Sequence, residues 1–259
     1  MWSSALRFLL VPVYGFYESW LSSQIGKETK PKHVGVILDG NRRYANHLGF
    51  DSRRGHEIGS RRGKDFLIWC LDYGIENITL FAFSTENFSR PKDEVDEILE
   101  IITERFLELA DDPIVHKNEV RIRALGRLEM LPDELRAAID RAAEVTKNYD
   151  NFTLNVALAY GGRTELVDAT VEIARQVKNG LLSPKDVTEG TITKSLYLPD
   201  LPPLDIILRT SGEKRLSNFM LWQSLGSFVV FIDIYWPEIR KIDLARSIRT
   251  FQSRSGTIN

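Results

Sequence analysis

Short apolar runs alternate along this chain with longer stretches in which apolar residues recur at helical spacing. Continuous apolar runs are typical of buried parallel strands, and the stretches between them predict crossover helices. The runs predict six strands, near Val34–Leu38, Ile78–Phe83, Val120–Leu125, Thr153–Ala159, Asp205–Leu208 and Phe228–Asp233. The helical spacing predicts helices near Gly55–Tyr73, Asp93–Leu109, Pro132–Lys147, Arg163–Asn179 and Ser217–Leu225. The pattern therefore predicts an α/β fold with an open, mainly parallel six-stranded sheet flanked by helices.

The first 25 residues depart from this pattern, because they are mostly apolar or aromatic and carry few charges. Pro12 and Gly15 interrupt the segment, which is too short and broken to predict a transmembrane helix, and it lacks the cleavage site of a signal peptide. Two interpretations stay open: a peripheral membrane contact, or a helix packed on the domain. We expect residues 1–31 to be this segment with its linker, and residues 32–259 to form the domain.

Composition narrows the functional classes. A length of 259 residues with 43% hydrophobic content suits one sizeable domain. The net charge of -2 argues against a nucleic-acid partner, since such proteins usually present a basic surface. Cys70 is the single cysteine, so the chain has no internal disulfide, which fits a reducing cytoplasm. Because Cys70 lies in an apolar run, we expect its side chain to be buried.

Polar residues follow the first predicted strand directly: Asp39, Gly40, Asn41, Arg42 and Arg43. A glycine turn leading into a helix leaves free backbone N–H groups, and adjacent arginines add paired donors for phosphate. A carboxylate repels phosphate, but Mg²⁺ is usually held by one or two carboxylates together with substrate phosphates. The segment therefore predicts a metal-assisted diphosphate site. In the simpler alternative, Asp39 is a helix cap and the arginines are solvated.

Further polar segments follow the second, fourth and fifth predicted strands, at residues 84–87, 160–163 and 209–215. Ligands of open parallel sheets bind outside the carboxyl ends of the strands, so these segments predict one shared site. The last segment resembles a second anion site, with arginines and serines around a glycine turn; its alternative is a turn capped by Ser217. Two diphosphate-type sites with Asp39 between them suggest a transferase that joins two diphosphorylated substrates.

Five motifs, in this order, resemble those of the cis-prenyltransferase family, which includes undecaprenyl and dehydrodolichyl diphosphate synthases. They are His33–Arg43, Gly55–Gly59, Phe81–Pro91, Asn155–Arg163 and Arg209–Gln223. The resemblance implies an open parallel sheet with an apolar tunnel, and a homodimer. It also implies Mg²⁺-dependent condensation of isopentenyl diphosphate with an allylic diphosphate, which creates a cis double bond. The spelling of the motifs is similar to archaeal members, which implies a geranylgeranyl or farnesyl diphosphate primer and a glycosyl-carrier lipid product.

The resemblance also implies roles for individual residues. Asp39 and Asn87 are the implied catalytic residues, with Asp39 as the Mg²⁺ ligand. The implied allylic diphosphate site contains Gly40, Asn41, Arg42, Arg43, Tyr44, His56, Ser84, Thr85, Glu86, Phe88 and Arg90. The implied isopentenyl diphosphate site contains Arg209, Arg215, Ser217, Arg254 and Gly256, of which the last two resemble the family's C-terminal Arg-x-Gly that completes the partner subunit's site.

Three positions depart from the family pattern. Ser52 stands where members usually have an arginine, which Arg53 or Arg54 could replace, and Tyr44 replaces a bacterial tryptophan. Phe228 occupies the position of a metal-ligating glutamate of bacterial members, which keeps irregular condensation of two allylic diphosphates open as an alternative. A separate alternative is a non-catalytic partner subunit, which the presence of the aspartate and the C-terminal motif disfavours.

Overall fold

The computed structural model describes residues 20–26 and 28–255, which contain one parallel sheet of six strands. The strands are β1 His33–Ile37, β2 Asn77–Phe81, β3 Val120–Leu125, β4 Phe152–Ala157, β5 Ile206–Arg209 and β6 Phe228–Phe231. They are ordered β3-β4-β2-β1-β5-β6, and each neighbouring pair is parallel. The predicted sheet is confirmed. Because β2 and β5 flank β1 on opposite sides, the strand order reverses at β1, where open sheets bind their ligands.

Helices pack on both sides of this sheet within the same residues. They are α1 Asn41–His47, α2 Ser52–Tyr73, α3 Lys92–Ala110, α4 Pro113–Lys117, α5 Asp133–Thr146, α6 Gly162–Lys178, α7 Glu189–Lys194 and α8 Lys241–Ser255. The longest, α2, has clear end signals: the Asp51 side chain accepts from Arg54 N, and Gly74 ends the helix at a φ of 70°. An aspartate before the first turn and a glycine after the last turn mark the two ends of a helix in the sequence as well as in the structure.

The core lies mainly on one face of the sheet, because side chains alternate between faces along each strand. Val36 of β1 packs on that face with Phe66 of α2 and Trp236, while the next residue, Ile37, joins a smaller cluster on the other face. On the face with the smaller cluster, Phe219 lies so close to β1 that a Cβ on Gly35 would come within 2.8 Å of the Phe219 ring. The strand therefore needs a glycine there.

The predicted helix over Ser217–Leu225 is wrong. Ser217, Asn218 and Met220 have positive φ values of 46°, 65° and 42°, which a right-handed helix does not contain. The apolar residues that suggested a helix are buried against the sheet from an irregular loop instead. The structure also adds α4, α7 and α8, which the apolar pattern does not indicate.

Residues 20–25 are helical and pack on the domain. Leu21 and Ile25 are buried in the main core, and Gln252 Nε2 of α8 donates to Ile25 O at 3.2 Å. This favours the packed-helix interpretation for these residues, while residues 1–19 of the predicted segment lie outside those described. No helix within residues 20–26 and 28–255 combines the length and apolar content needed to span a bilayer. Cys70 is fully buried, as expected.

Candidate active site

Loops after β1, β2 and β5 enclose a polar cavity of about 490 Å³ at the carboxyl edge of the sheet. Its polar wall contains Asp39, Asn41, His56, Ser84, Glu86, Asn87, Arg90, Arg209, Arg215, Ser217 and Asn218. Ten of these eleven side chains are residues that the sequence predicts for the two diphosphate sites. Three buried polar atoms of this wall, Asn41 Oδ1, His56 Nε2 and Arg209 Nε, have no hydrogen-bond partner among the described residues. Asn41 Oδ1 packs against Gly59 of α2. Buried polar atoms are usually paired, so the unpaired atoms of His56 and Arg209 favour a site that receives a polar ligand.

Asp39 lies between two arginines. Its Oδ2 accepts from Arg209 Nη2 at 2.7 Å, and its Oδ1 accepts from Arg43 Nη2 at 3.0 Å. Burial raises the pKa of the carboxyl, but the hydrogen bond and charge of Arg209, with help from Arg43 and Ser211, outweigh burial and lower it. Asp39 is therefore ionised at neutral pH. The helix-cap alternative is wrong, because Gly40, at a φ of 110°, occupies the N-cap of α1.

Arg209 connects Asp39 to the second anion-binding segment. Its side chain is 3% exposed, and Nη1 donates to Ser217 Oγ at 2.6 Å and to the carbonyl of Arg215 at 2.5 Å. Ser217 Oγ also accepts from Arg215 Nε at 3.2 Å. The Ser217 hydroxyl accepts hydrogen bonds from two arginines, and Ser217 is not the N-cap of a helix. The buried Arg209 is thus fixed in place, whereas the Arg215 side chain is 62% exposed and can reach a ligand from the rim.

Arg43 reaches the second segment from the first. Its Nη2 donates to Ser211 Oγ at 2.7 Å, and its Nη1 lies 3.5 Å from Glu213 Oε1. The guanidinium also lies 5.9 Å from the centre of the Tyr235 ring. Thr210 fastens the same region, because its hydroxyl donates to Asp39 O at 2.7 Å. The two predicted anion segments therefore form one continuous site.

Glu94, at the start of α3, holds a second group of cations. It pairs with Arg90 at 2.9 Å and with Arg42 at 3.6 Å, and lies 3.7 Å from His56 Nε2. Burial, followed by the charge of Arg90, lowers the pKa of His56 to about 4. His56 is therefore neutral at pH 7 and can donate or accept one hydrogen bond without adding charge.

Several functional residues are missing from the sequence-based prediction. Thr210 and Ser211 sit beside Arg209 in the quoted motif, and Tyr235 follows the last strand, so position alone could have indicated them. Glu94 carried no such signal, because its role depends on which cations the fold brings to it. Asn218 belongs to the motif, but the helix predicted there concealed its contacts.

Some predicted residues do not line the polar cavity. They are Gly40, Arg42, Arg43, Tyr44, Thr85 and Phe88. Phe88, for example, packs against Phe83 with ring centres 4.9 Å apart. Arg254 is exposed in the last turn of α8, and Gly256 lies outside the described residues.

Two of the departures from the family pattern have a structural outcome. Arg53 pairs with Glu100 at 2.8 Å, and Arg54 pairs with Glu57 at 3.0 Å. Neither arginine lines the polar cavity, so neither replaces the arginine that the family usually has at the position of Ser52. Phe228 begins β6 opposite Ile206, at the amino end of the strand, whereas the polar cavity lies at the carboxyl end.

The Phe228 ring packs against Phe251, with ring centres 5.6 Å apart. In this chain the Phe228 side chain therefore does not line the polar cavity.

A second, apolar cavity of about 290 Å³ adjoins the polar one. The two share Leu38, Asn41, His56, Ala82 and Ile98 as a common wall. Beyond this wall the apolar cavity runs between α2, α3 and the sheet, where its lining includes Leu67, Ile102, Phe106 and Leu154. The predicted apolar tunnel therefore opens from the polar cavity, and a ligand with a charged head and a hydrocarbon tail matches the pair of cavities.

A single carboxylate could hold a metal at this site. The described residues contain no group of three or more His, Cys, Asp and Glu side chains that could bind a metal by themselves. Asp39 is ionised, is 24% exposed, and uses one lone pair of each oxygen for an arginine. Because Mg²⁺ usually takes one or two carboxylates plus substrate phosphates, Asp39 fits a Mg²⁺ that binds together with a diphosphate.

Sequence comparisons agree with this geometry. Residues 37–258 match the family model Prenyltransf, which describes undecaprenyl diphosphate synthases. The geranylgeranyl-diphosphate-specific tritrans,polycis-undecaprenyl-diphosphate synthase of Methanopyrus kandleri is 49% identical over 250 residues, which are 96% of this chain and 92% of the relative. The enzyme of the same name from Methanocaldococcus jannaschii is 48% identical over 244 residues, 93% of this chain and 87% of the relative.

Solved structures share the fold. Lavandulyl diphosphate synthase from Lavandula x intermedia, in complex with dimethylallyl diphosphate, has a TM-score of 0.82 and 31% identity, covering 86% of this chain and 95% of that chain. A probable undecaprenyl diphosphate synthase from Campylobacter jejuni has a TM-score of 0.71 and 34% identity, covering 87% of this chain and 97% of that chain.

Proposed function

The chain belongs to the undecaprenyl diphosphate synthase family and is a prenyltransferase, and from this premise we propose that it extends geranylgeranyl diphosphate with isopentenyl diphosphate units. Each condensation creates a cis double bond, and the product is a polyprenyl diphosphate for a glycosyl-carrier lipid. Two archaeal relatives at 48% and 49% identity carry geranylgeranyl specificity in their names, which supports this primer over farnesyl diphosphate.

The observation that carries the proposal is the position of Asp39. Its carboxylate joins Arg43 and Arg209, and the polar cavity that it lines opens into the apolar one. A diphosphate head therefore meets cations and hydroxyls, while a prenyl chain extends between α2 and α3.

The reaction requires charge stabilisation more than proton transfer. Breaking the allylic C–O bond leaves negative charge on the departing diphosphate, which fixed donors aimed at that charge stabilise. Arg90, which lines the cavity, and Arg43, which donates to Asp39, suit this role, and neutral His56 adds a hydrogen bond without changing the net charge. Mg²⁺ held by Asp39 and the diphosphates would supply further neutralisation. Arg209, Arg215 and Ser217 bind isopentenyl diphosphate at the adjacent wall.

Asn87 has a positioning role in this scheme. Its Oδ1 accepts from Ser84 N at 2.9 Å, which fixes the loop after β2 at the cavity wall. Ser84 is also bridged to Tyr160 in the manner of a parallel strand, so the loop continues the sheet toward the ligand. The Asn87 amide then remains available to the reacting diphosphate.

The test is incubation of the pure protein with Mg²⁺, labelled isopentenyl diphosphate and primers of several lengths, followed by product analysis. We expect long cis products with geranylgeranyl diphosphate as the preferred primer. No labelled product with any primer would contradict the proposal. Omission of Mg²⁺ with chelator present should abolish product formation. Full activity without the metal would contradict the proposed role of Asp39 as a Mg²⁺ ligand.

Irregular condensation of two allylic diphosphates is the second candidate, because the lavandulyl enzyme is a close structural neighbour. The same incubation decides between them: an irregular product from dimethylallyl diphosphate alone would favour this alternative. A homodimer in which Arg254 and Gly256 complete the partner's site also belongs to the proposal, as does peripheral membrane contact through residues 1–19 of the N-terminal segment. Sedimentation analysis and vesicle flotation test these two features separately.

A further inference from the structure

Asn218 joins three loops at the carboxyl edge of the sheet. Its Nδ2 donates to Glu86 Oε1, in the loop after β2, at 3.0 Å. Its Oδ1 accepts from Arg163 N at 2.8 Å, and its carbonyl oxygen accepts from Gly162 N at 2.7 Å, both at the start of α6. Asn218 itself follows Ser217 in the loop after β5. We call Asn218, Glu86 and these two amides the Asn218 clasp.

The loop that contains Asn218 needs outside support. Ser211, Ser217, Asn218 and Met220 have φ values of 75°, 46°, 65° and 42°, and such conformations are strained for residues other than glycine. Asparagine is among the residues that adopt this region most readily, so it suits the position. The three hydrogen bonds of the clasp hold the loop from two neighbouring loops that are anchored in β2 and β4.

Glu86 is a poor ligand for a diphosphate. Its Oε1 is occupied by Asn218 Nδ2, and its Oε2 accepts from Thr85 Oγ1 at 3.2 Å. Burial raises the pKa of the Glu86 carboxyl, but hydrogen bonds from its own backbone, Ser84, Asn218 and Thr85 together lower it, so it is charged at neutral pH. A negative charge at the cavity wall repels a diphosphate, and the contacts direct it to Asn218 instead.

We propose that Glu86 is a positioning residue that acts through Asn218 to hold Ser217 and Arg215 in place for isopentenyl diphosphate. This deepens the proposed function and rests on it. The expected signature is a larger change in the KM for isopentenyl diphosphate than in the KM for the allylic substrate. The hydrogen bonds of the clasp involve neither Asp39 nor Arg43, which pair directly with each other.

Asn218→Asp isolates the Glu86 contact. Aspartate tolerates positive φ and keeps the acceptor for Arg163 N, but it replaces the amide donor with a carboxylate that faces Glu86. We expect the KM for isopentenyl diphosphate to rise about fivefold, the scale of one typical intramolecular hydrogen bond. The double variant Asn218→Asp with Glu86→Gln restores a donor and an acceptor in reversed order, so the KM should return most of the way to wild type.

Asn151→Asp is the matched control. Asn151 Nδ2 donates to Glu119 Oε2 at 2.6 Å, which is the same chemistry at the opposite edge of the sheet. This variant should leave both KM values unchanged. Glu86→Ala, which removes the acceptor and keeps Asn218, serves as the second test variant if Asn218→Asp lowers the melting temperature strongly.

Hydrogen exchange of the peptide that covers residues 211–222 gives a readout independent of catalysis. Exchange should accelerate in Asn218→Asp and slow again in the double variant, while Asn151→Asp matches wild type. An unchanged KM for isopentenyl diphosphate in both Asn218→Asp and Glu86→Ala, or a double variant no better than the single one, overturns the inference. If the wild-type protein makes no product, the proposed function fails, and the exchange pattern still decides whether the clasp holds the loop.

Discussion

The polar cavity and the apolar cavity share a wall but depend on different physics. In the polar cavity each charged side chain meets a partner at a defined distance, such as Asp39 with Arg209 at 2.7 Å. In the apolar cavity Ile102 and Leu154 contribute only surface and volume. Hydrogen bonds are directional and a buried charge without its partner is costly, whereas hydrophobic burial is non-directional.

The backbones of the two regions differ in the same sense. The polar cavity is bordered by a loop with positive φ at Ser211, Ser217 and Asn218, and the apolar cavity by the regular helices α2 and α3. Strained loops persist where the surroundings hold them, and they occur preferentially at functional sites. Substitutions that line the polar cavity should therefore change turnover, and substitutions that line the apolar cavity should change product length.

The largest effect is expected for Asp39→Ala. Loss of the carboxylate removes the proposed Mg²⁺ ligand and a partner of Arg43 and Arg209, so turnover should fall by about 10³-fold or more, the scale for loss of a key electrostatic group. Circular dichroism should show an intact fold. Asp200→Ala is the matched control, because Asp200 pairs with Arg123 at 2.6 Å at the opposite edge and should not affect turnover. Full product formation by Asp39→Ala would contradict the metal-carboxylate role.

A smaller loss is expected when residues 254–259 are deleted. The deletion removes Arg254 and Gly256, which are proposed to complete the partner's site, and kcat/KM should fall about tenfold or more, as for a lost charge-assisted contact to phosphate. Deletion of residues 257–259 alone keeps the motif and serves as the control. Steady-state kinetics of the two truncated proteins measure the difference, and an unimpaired longer deletion would refute a shared site.

The apolar cavity is tested by Ile102→Trp. Filling this space should shorten the products while leaving both diphosphate KM values near wild type, and overpacking should cost about 1–3 kcal/mol in stability. Leu107→Trp is the control, because Leu107 lies on the same helix but is 42% exposed. Mass analysis of the polyprenyl products gives the lengths. A changed KM for either diphosphate with unchanged product lengths would contradict the separate roles of the two cavities.

The smallest effect concerns the pH dependence of stability. Burial first, then Arg90, lowers the pKa of folded His56 from 6.5 to about 4, so the unfolded chain binds more protons between these values. The free energy of unfolding therefore falls as the pH drops below 6.5, and rises again toward neutrality. His56→Gln should reduce the difference between pH 7 and pH 5 by about 2 kcal/mol in urea unfolding.

His33 provides the comparison for that measurement, because burial also lowers its pKa to about 4, away from the polar cavity. It should keep its share of the pH dependence in the His56 variant. An unchanged pH dependence in His56→Gln would show that the pKa of His56 is the same in the folded and unfolded chains, which contradicts the lowered pKa.

Much of the site follows from where polar residues stand relative to apolar runs. Asp39, Ser84 and Arg209 each come at or just after the end of a strand, and parallel strands bring their carboxyl ends to one edge, so their proximity is predictable. The helix predicted over Ser217–Leu225 is wrong because buried apolar residues in this irregular segment happen to recur at helical spacing. The conformation of this loop depends on its contacts with the sheet and on the hydrogen bonds of Asn218, which the local sequence pattern does not contain.

Local pattern alone was thus sufficient for the sheet, most of its long helices and the gathering of both diphosphate segments, because alternation and strand ends are short-range properties. The partners of individual charges were not accessible in this way. Glu94 meets Arg42 across 52 positions of the chain, and Asn218 meets Glu86 across 132. Such pairs depend on how helices and loops pack around the sheet, and electrostatic interactions act through space, without regard to separation along the sequence.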